Sequence, residues 1–200
     1  MEKLIIGITG GIACGKSNVT YVLQSLGYEI IDADIISKQL TQKDKTIYNN
    51  IVKIFGKEYI EDNGELNREK LAELIFHNPK QRELLNSISH PAIIEEIKKR
   101  IETSKNEIIF LDIPLLFETN LMYLCNKIIC VYLDRKLQIQ RLIKRDGISY
   151  QYAEEKIDAQ LSLEKKKELS DYVIDTCGNF EETKQKVIKL LNQIKELRKC

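Results

Sequence analysis

The chain is constrained most by the recurrence of short, unbroken apolar runs. Leu4 to Thr9, Tyr28 to Asp32, Glu107 to Asp112, Lys127 to Leu133 and Tyr172 to Asp175 are rich in isoleucine and valine and mostly do not alternate with polar residues. Strands read this way when both faces are covered, as in a parallel sheet packed between helices. The stretches between them have helical spacing: Lys16 to Leu26 stopped by Gly27, Arg68 to His77, Pro91 to Ser104, Arg135 to Arg145, and Phe180 to Lys199. Pro91 suits a first helical position. Alternating strands and helices predict an α/β fold with a parallel sheet flanked by helices. The interval from about 35 to 105 carries helical patterns only, so it reads as an insertion beside the sheet, and a polar helical stretch from about 135 to 168 reads as a second.

The 200 residues, 43% of them hydrophobic, can bury one sizeable core, which leaves 1–34, 106–134 and 169–200 as that core in a single domain. Three prolines are too few for a flexible two-domain chain. The 31 basic and 30 acidic residues give a net charge of +1, so no global field draws the chain to nucleic acid or an anionic membrane. Any anion site must be local. No apolar stretch approaches the roughly 20 residues of a membrane span, and Met1-Glu2-Lys3 leads directly into a strand, so a cytoplasmic protein is expected. Cys14, Cys125, Cys130, Cys177 and Cys200 are odd in number and form no CxxC pair. With only His77 and His90 beside them, they indicate neither a disulfide framework nor a zinc site.

Gly10-Gly11-Ile12-Ala13-Cys14-Gly15-Lys16-Ser17 matches G-x-x-x-x-G-K-[ST] between a predicted strand and a predicted helix, the context that the pattern requires. Backbone N–H groups of such a loop converge on phosphate, and the helix adds its positive end. Lys16 is placed to reach the β- and γ-phosphates of a nucleoside triphosphate, and Ser17 to supply an oxygen to Mg²⁺. The alternative is a glycine-rich turn that binds nothing. Cys14 lies beside a helix N-terminus and a lysine, both of which favour a thiolate; its alternative is a small residue tolerated at a variable loop position.

A phosphate-binding loop fits a kinase or a nucleotide-dependent switch. Guanine-type switches carry N-K-x-D and D-x-x-G, whereas Asn126-Lys127-Ile128-Ile129 and Asp112-Ile113-Pro114-Leu115 each lack the last residue. Asp34 follows the second strand, where an open parallel sheet binds ligands, and can accept a hydroxyl proton in phosphoryl transfer. Its other reading is the N-cap of a helix over Ile35 to Leu40. Asp112 ends the run "EIIFLD", where a P-loop enzyme keeps an acid that assists Mg²⁺; a strand-end cap is the bland alternative. Arg141, Lys144 and Arg145 share a helix face, as charged triphosphate partners or as a solvated surface. His90 is a lone histidine with no metal partners, a pattern more often structural than functional.

The ordered set "TGGIACGKS" (9–17), "IDADIISKQL" (31–40), "DNGELNREKLAELIFHNP" (62–79), "LNSISHP" (85–91), "LDIPLLFE" (111–118), "QRLIKRDGIS" (140–149), "AQ" (159–160) and "DYVID" (171–175) resembles the dephospho-coenzyme A kinases over almost the whole chain. The resemblance implies a P-loop NTPase-type parallel sheet, a helical acceptor-binding insertion over about 35–105 and a small helical lid over about 135–168. It implies ATP-dependent phosphorylation of the ribose 3′-hydroxyl of dephospho-CoA. It also implies acceptor contacts from Asp34, Arg68, His90, Pro114, Leu115 and Leu116, and lid contacts from Arg141 and Arg145, with Lys144 beside them. The family usually has asparagine after "DYVID", where this chain has Thr176. A nucleoside or nucleotide monophosphate kinase and a nucleotide-dependent regulatory protein remain the other readings of the phosphate loop.

Overall fold

The first apolar run is the middle of the sheet. The computed structural model describes residues 3–197; Met1, Glu2 and residues 198–200, which include Cys200 and the last positions of the helix expected to reach Lys199, lie outside them. The elements in chain order are β1 (Leu4–Gly10), α1 (Lys16–Ser25), β2 (Glu29–Asp32), α2 (Ala33–Leu40), α3 (Thr46–Phe55), α4 (Arg68–His77), α5 (Pro79–Thr103), β3 (Ile108–Asp112), β4 (Lys127–Tyr132), α6 (Arg135–Asp146), α7 (Tyr150–Asp158), α8 (Leu163–Glu168), β5 (Tyr172–Asp175) and α9 (Phe180–Leu197). The sheet order is β2-β3-β1-β4-β5. β1 pairs in parallel with β3, Ile6 opposite Phe110, and with β4, Ile8 opposite Ile129; β4 pairs in parallel with β5. All five apolar runs are therefore strands, and the expected α/β parallel sheet is present.

Contacts divide the chain into two compact units, Met1–Ile31 with Lys105–Cys200, and Asp32–Ser104. In the first, Ile6, Ile8, Phe110, Ile129 and Val131 from the strands are buried against Val19, Val22 and Leu23 of α1 and Val187, Leu191 and Ile194 of α9. Continuous apolar strands are needed here because helices on both faces leave no side of the sheet for water. α1 stops as expected at Gly27, whose φ of 84° lets its N–H reach the Gln24 carbonyl and the Tyr28 N–H reach that of Leu23.

The second unit is helical apart from one isolated antiparallel bridge, Ile60 with Leu66. Its core gathers Ile47, Tyr48 and Ile51 of α3, Tyr59, Leu66, and Leu71 of α4. One sequence expectation is corrected in this unit. Pro91 does not open a helix: it lies inside α5, which begins at Pro79 with the Asn78 side chain accepting from the Gln81 N–H at 3.3 Å. A mid-helix proline removes a backbone hydrogen bond. Here Leu85 and Ile88 before it and Ala92 and Ile93 after it pack on the same core, so tertiary burial carries the helix through. Among the described residues no helix is long and apolar enough to cross a membrane.

Candidate active site

The loop between β1 and α1 turns through unusual backbone. Gly15 is the N-cap of α1 with φ 85° and ψ 21°, a conformation open to glycine, and Ala13 also has a positive φ of 58°. Strain of that kind in a non-glycine residue is tolerated where surrounding contacts hold it and often marks a ligand clamp. No side chain caps α1 and its first turn carries no acidic residue, so the positive end of this helix is offset by no acidic residue of its own first turn. Ser17 is exposed in that first turn.

Lys16 Nζ is paired with the Asp112 carboxylate at the end of β3. Asp112 is 4% exposed, so the sheet holds this carboxylate in place at the mouth of the loop. Lys16, paired with Asp112, and Ser17 thus both stand in the first turn of the uncapped helix. Among the described residues no group of three or more histidine, cysteine or acidic side chains could hold a metal by itself. Magnesium does not need one, because it binds through one or two carboxylates together with substrate phosphates.

Thr176 takes a bracing position. Its hydroxyl lies 2.6 Å from the Cys14 carbonyl and 3.2 Å from that of Tyr132, tying the loop after β5 to the phosphate loop. Arg141 Nη2 donates to the Thr176 carbonyl at 2.7 Å, and Nη1 would lie 3.6 Å from a Cβ placed on Gly15. Arg141 therefore stands beside the phosphate loop. Arg145, one turn further along α6, is instead held by Asp146 at 2.7 and 3.1 Å, and Lys144 is exposed. The shared face anticipated for these three does not converge on one partner.

Cys14 is not the activated thiol that its position suggested. It is 1% exposed, and burial pushes its pKa from 9.0 up to about 11, outweighing the Lys16 N–H and charge that pull it down. A charged sulfur is disfavoured wherever water is excluded.

Asp34 is exposed in the first turn of α2 and does not cap it. The cap is Asp32, which accepts from the Ile35 N–H at 2.9 Å. The bland reading of Asp34 is thereby removed. In the same unit Arg68 Nη2 donates to Thr41 Oγ1 at 2.6 Å, and His90 sits in α5, where burial lowers its pKa so that the imidazole is neutral at pH 7.

Pro114 follows β3, and its carbonyl accepts from Thr9 Oγ1 at 2.9 Å and from Lys166 Nζ at 3.0 Å. Leu115 is 40% exposed, but Leu116 is fully buried and packs beside Gly7. A direct acceptor contact from Leu116 does not fit that burial. No sequence pattern points to Lys166, which is completely buried and also reaches Gly10 O at 3.3 Å and the Glu118 carboxylate at 2.9 Å. Nor does any single out Gln138 as a partner of the loop.

The comparisons with known proteins extend over both units. The dephospho-CoA kinase family model matches residues 4–182. A curated dephospho-CoA kinase from Carboxydothermus hydrogenoformans is 41% identical over 194 residues, covering 96% of this chain and 94% of that protein. The crystal structure of a Thermus thermophilus protein superposes with a TM-score of 0.86 at 26% identity, covering 96% of this chain and 98% of the other. The dephospho-CoA kinase from Campylobacter jejuni gives 0.73 at 27% identity, covering 97% and 98%. Phosphate loop, sheet order and the match through the helical unit agree, and the chain belongs to the dephospho-CoA kinase family.

Proposed function

We propose that the chain transfers the γ-phosphoryl group of ATP to the ribose 3′-hydroxyl of dephospho-CoA, giving coenzyme A and ADP. The observation that carries this reading is that the family match, 4–182, runs through the helical unit as well as the phosphate loop. A phosphate loop is common to many kinases; the acceptor side distinguishes this one.

In this reading the N–H groups at the start of α1 hold the β- and γ-phosphates, and Lys16 exchanges part of its pairing with Asp112 for the transferring group. Ser17 and Asp112 would hold Mg²⁺. When bound with the triphosphate, the metal offsets charge on the phosphate oxygens. The acceptor 3′-oxygen attacks Pγ while the bond from Pγ to the bridging oxygen breaks, and Asp34 takes the hydroxyl proton. Arg141, already beside Gly15, stabilises the charge that develops; Arg145 joins it by leaving Asp146, an exposed pair that costs little to break. Arg68, His90, Pro114 and Leu115 contact the acceptor, His90 as a neutral hydrogen-bonding group, while Leu116 stays in the core. The segment 135–168 serves as the lid, excluding water that would hydrolyse ATP. A cytoplasmic location follows from this reading of a coenzyme A-forming kinase.

The test offers ATP with dephospho-CoA, adenosine, AMP, CMP or pantothenate in parallel and follows ADP release. Release driven by dephospho-CoA alone is expected. Slow release at one rate with every acceptor would mark a regulatory nucleotide-binding protein instead.

A further inference from the structure

The backbone of Ile12, in the phosphate loop, is held on both sides of its Cα by side chains of the 135–168 segment. Its N–H donates to Gln160 Oε1 at 2.9 Å, and its carbonyl accepts from Gln138 Nε2 at 2.8 Å. Because a backbone N–H only donates and a backbone carbonyl only accepts, both amide orientations are fixed by their partner. Gln138 is 3% exposed on α6 and crosses Gly11 so closely that a Cβ there would lie 2.6 Å from its Nε2. Glycine at position 11 is thus needed by the clamp itself. Gln160 is fixed in turn: the next residue, Leu161, donates its N–H to Glu118 at 3.0 Å, and Glu118 is paired with the buried Lys166. A cavity of about 260 Å³ beside Gly11, bordered by both glutamines, gives the loop space to move if the clamp is cut.

We infer that Gln138 and Gln160 are positioning residues that set the orientations of the two peptides flanking the Ile12 Cα and so preform the phosphate loop for ATP. Neither touches the nucleotide. Each takes up one polar group of the Ile12 backbone. Loop order established before binding is entropy that ATP does not have to supply. The same contacts join the lid segment to the loop, so a displacement of α6 or of the turn at Gln160 alters the phosphate site. This inference rests on the loop being the ATP site.

The orientations make the same substitution act differently at the two positions. Glutamate at 160 keeps the oxygen that accepts from Ile12; glutamate at 138 replaces the donor with an anion facing a carbonyl. Both changes add one negative charge beside the same residue, Ile12, so general repulsion of ATP largely cancels in the comparison. Equilibrium binding of Mg²⁺-ATP at pH 8, with KM for ATP and for dephospho-CoA, should show Q138E weakened about tenfold more than Q160E, the loss expected for one hydrogen bond replaced by a repulsive contact. Q138M and Q160M, without the added charge, should each weaken ATP several-fold. Their double variant should fall short of the product of the two, because both bonds hold the same residue, Ile12, and either loss frees it in part. KM for dephospho-CoA and the melting temperature should move little. Equal weakening by Q138E and Q160E, or methionine variants that alter melting and both KM values in proportion, would overturn the assignment. If Q138E does not fold, the methionine cycle decides alone, and multiplicative methionine effects count against the clamp. Wild-type protein that fails to bind ATP would refute the underlying reading of the loop rather than the clamp.

Discussion

Lys16→Ala removes a charge from the transferring phosphate and a partner from Asp112 at once. As the structure has it, this lysine is not a free loop side chain, so the variant should lose stability, by about 1–3 kcal/mol, as well as turnover, by about 10²–10³. Denaturant unfolding beside steady-state kinetics separates the two; full turnover in a destabilised protein would leave Lys16 a structural role only. Asp34→Asn should do the opposite, lowering kcat by about 10²–10⁴ while the KM for ATP and the melting temperature stay near wild type. Asp32→Ala is its control, since the cap belongs to that residue and its loss costs about 1 kcal/mol of stability. A near-normal kcat in Asp34→Asn would end its assignment as the base. Among the described thiols, exposed Cys177 should be alkylated before Cys14, Cys125 and Cys130; Cys14, with its pKa near 11, is ionised to only about one part in a thousand at pH 8. Mapping iodoacetamide adducts by mass decides this, and early modification of Cys14 would contradict its burial.

At the level of elements, the strands and the phosphate loop were legible because their signals are local. β5 runs from Tyr172 to Asp175 as its apolar run does, and α4 from Arg68 to His77. The start of α5 was hidden because Pro91 is a strong local signal for a helix beginning, whereas the packing of Leu85 and Ile88 that overrides it is tertiary. Pro91→Ala should therefore restore a missing backbone bond and raise stability, by about 1–3 kcal/mol, measured as an increase in melting temperature. A decrease would return Pro91 to a helix start. Site residues divide in the same way. Gly10 to Ser17 announce themselves by spacing, but Lys166 and Gln138 act on carbonyls 156 and 126 positions away in the chain, and no local pattern records such an approach. Gln160 stood inside the family-like "AQ" pair without any sign of its partner.

For the molecule as a whole, burial of thiols sets an alkaline limit. Folding raises the pKa of Cys14 to about 11 and those of Cys125 and Cys130 to about 12, all through loss of water. The unfolded chain therefore releases these protons first, and the stability they contribute is complete below pH 9 and is lost as pH rises through 11 to 12. Each thiol removes up to about 1.4 kcal/mol per pH unit in that window. Urea midpoints between pH 8 and 11 should fall accordingly, less steeply in Cys130→Ala once its own packing loss is subtracted; a flat profile would contradict the burial of these groups.

Sheet, phosphate loop and helical unit together make one claim, that a single hydroxyl of a single acceptor receives the phosphoryl group. The most direct measurement is the product itself: ATP and dephospho-CoA are incubated with the protein, and the new phosphate is located by mass and NMR. The account requires one phosphate, on the ribose 3′-oxygen, with one ADP released per product. A phosphate on any other oxygen, or ADP without a phosphorylated acceptor, would contradict it.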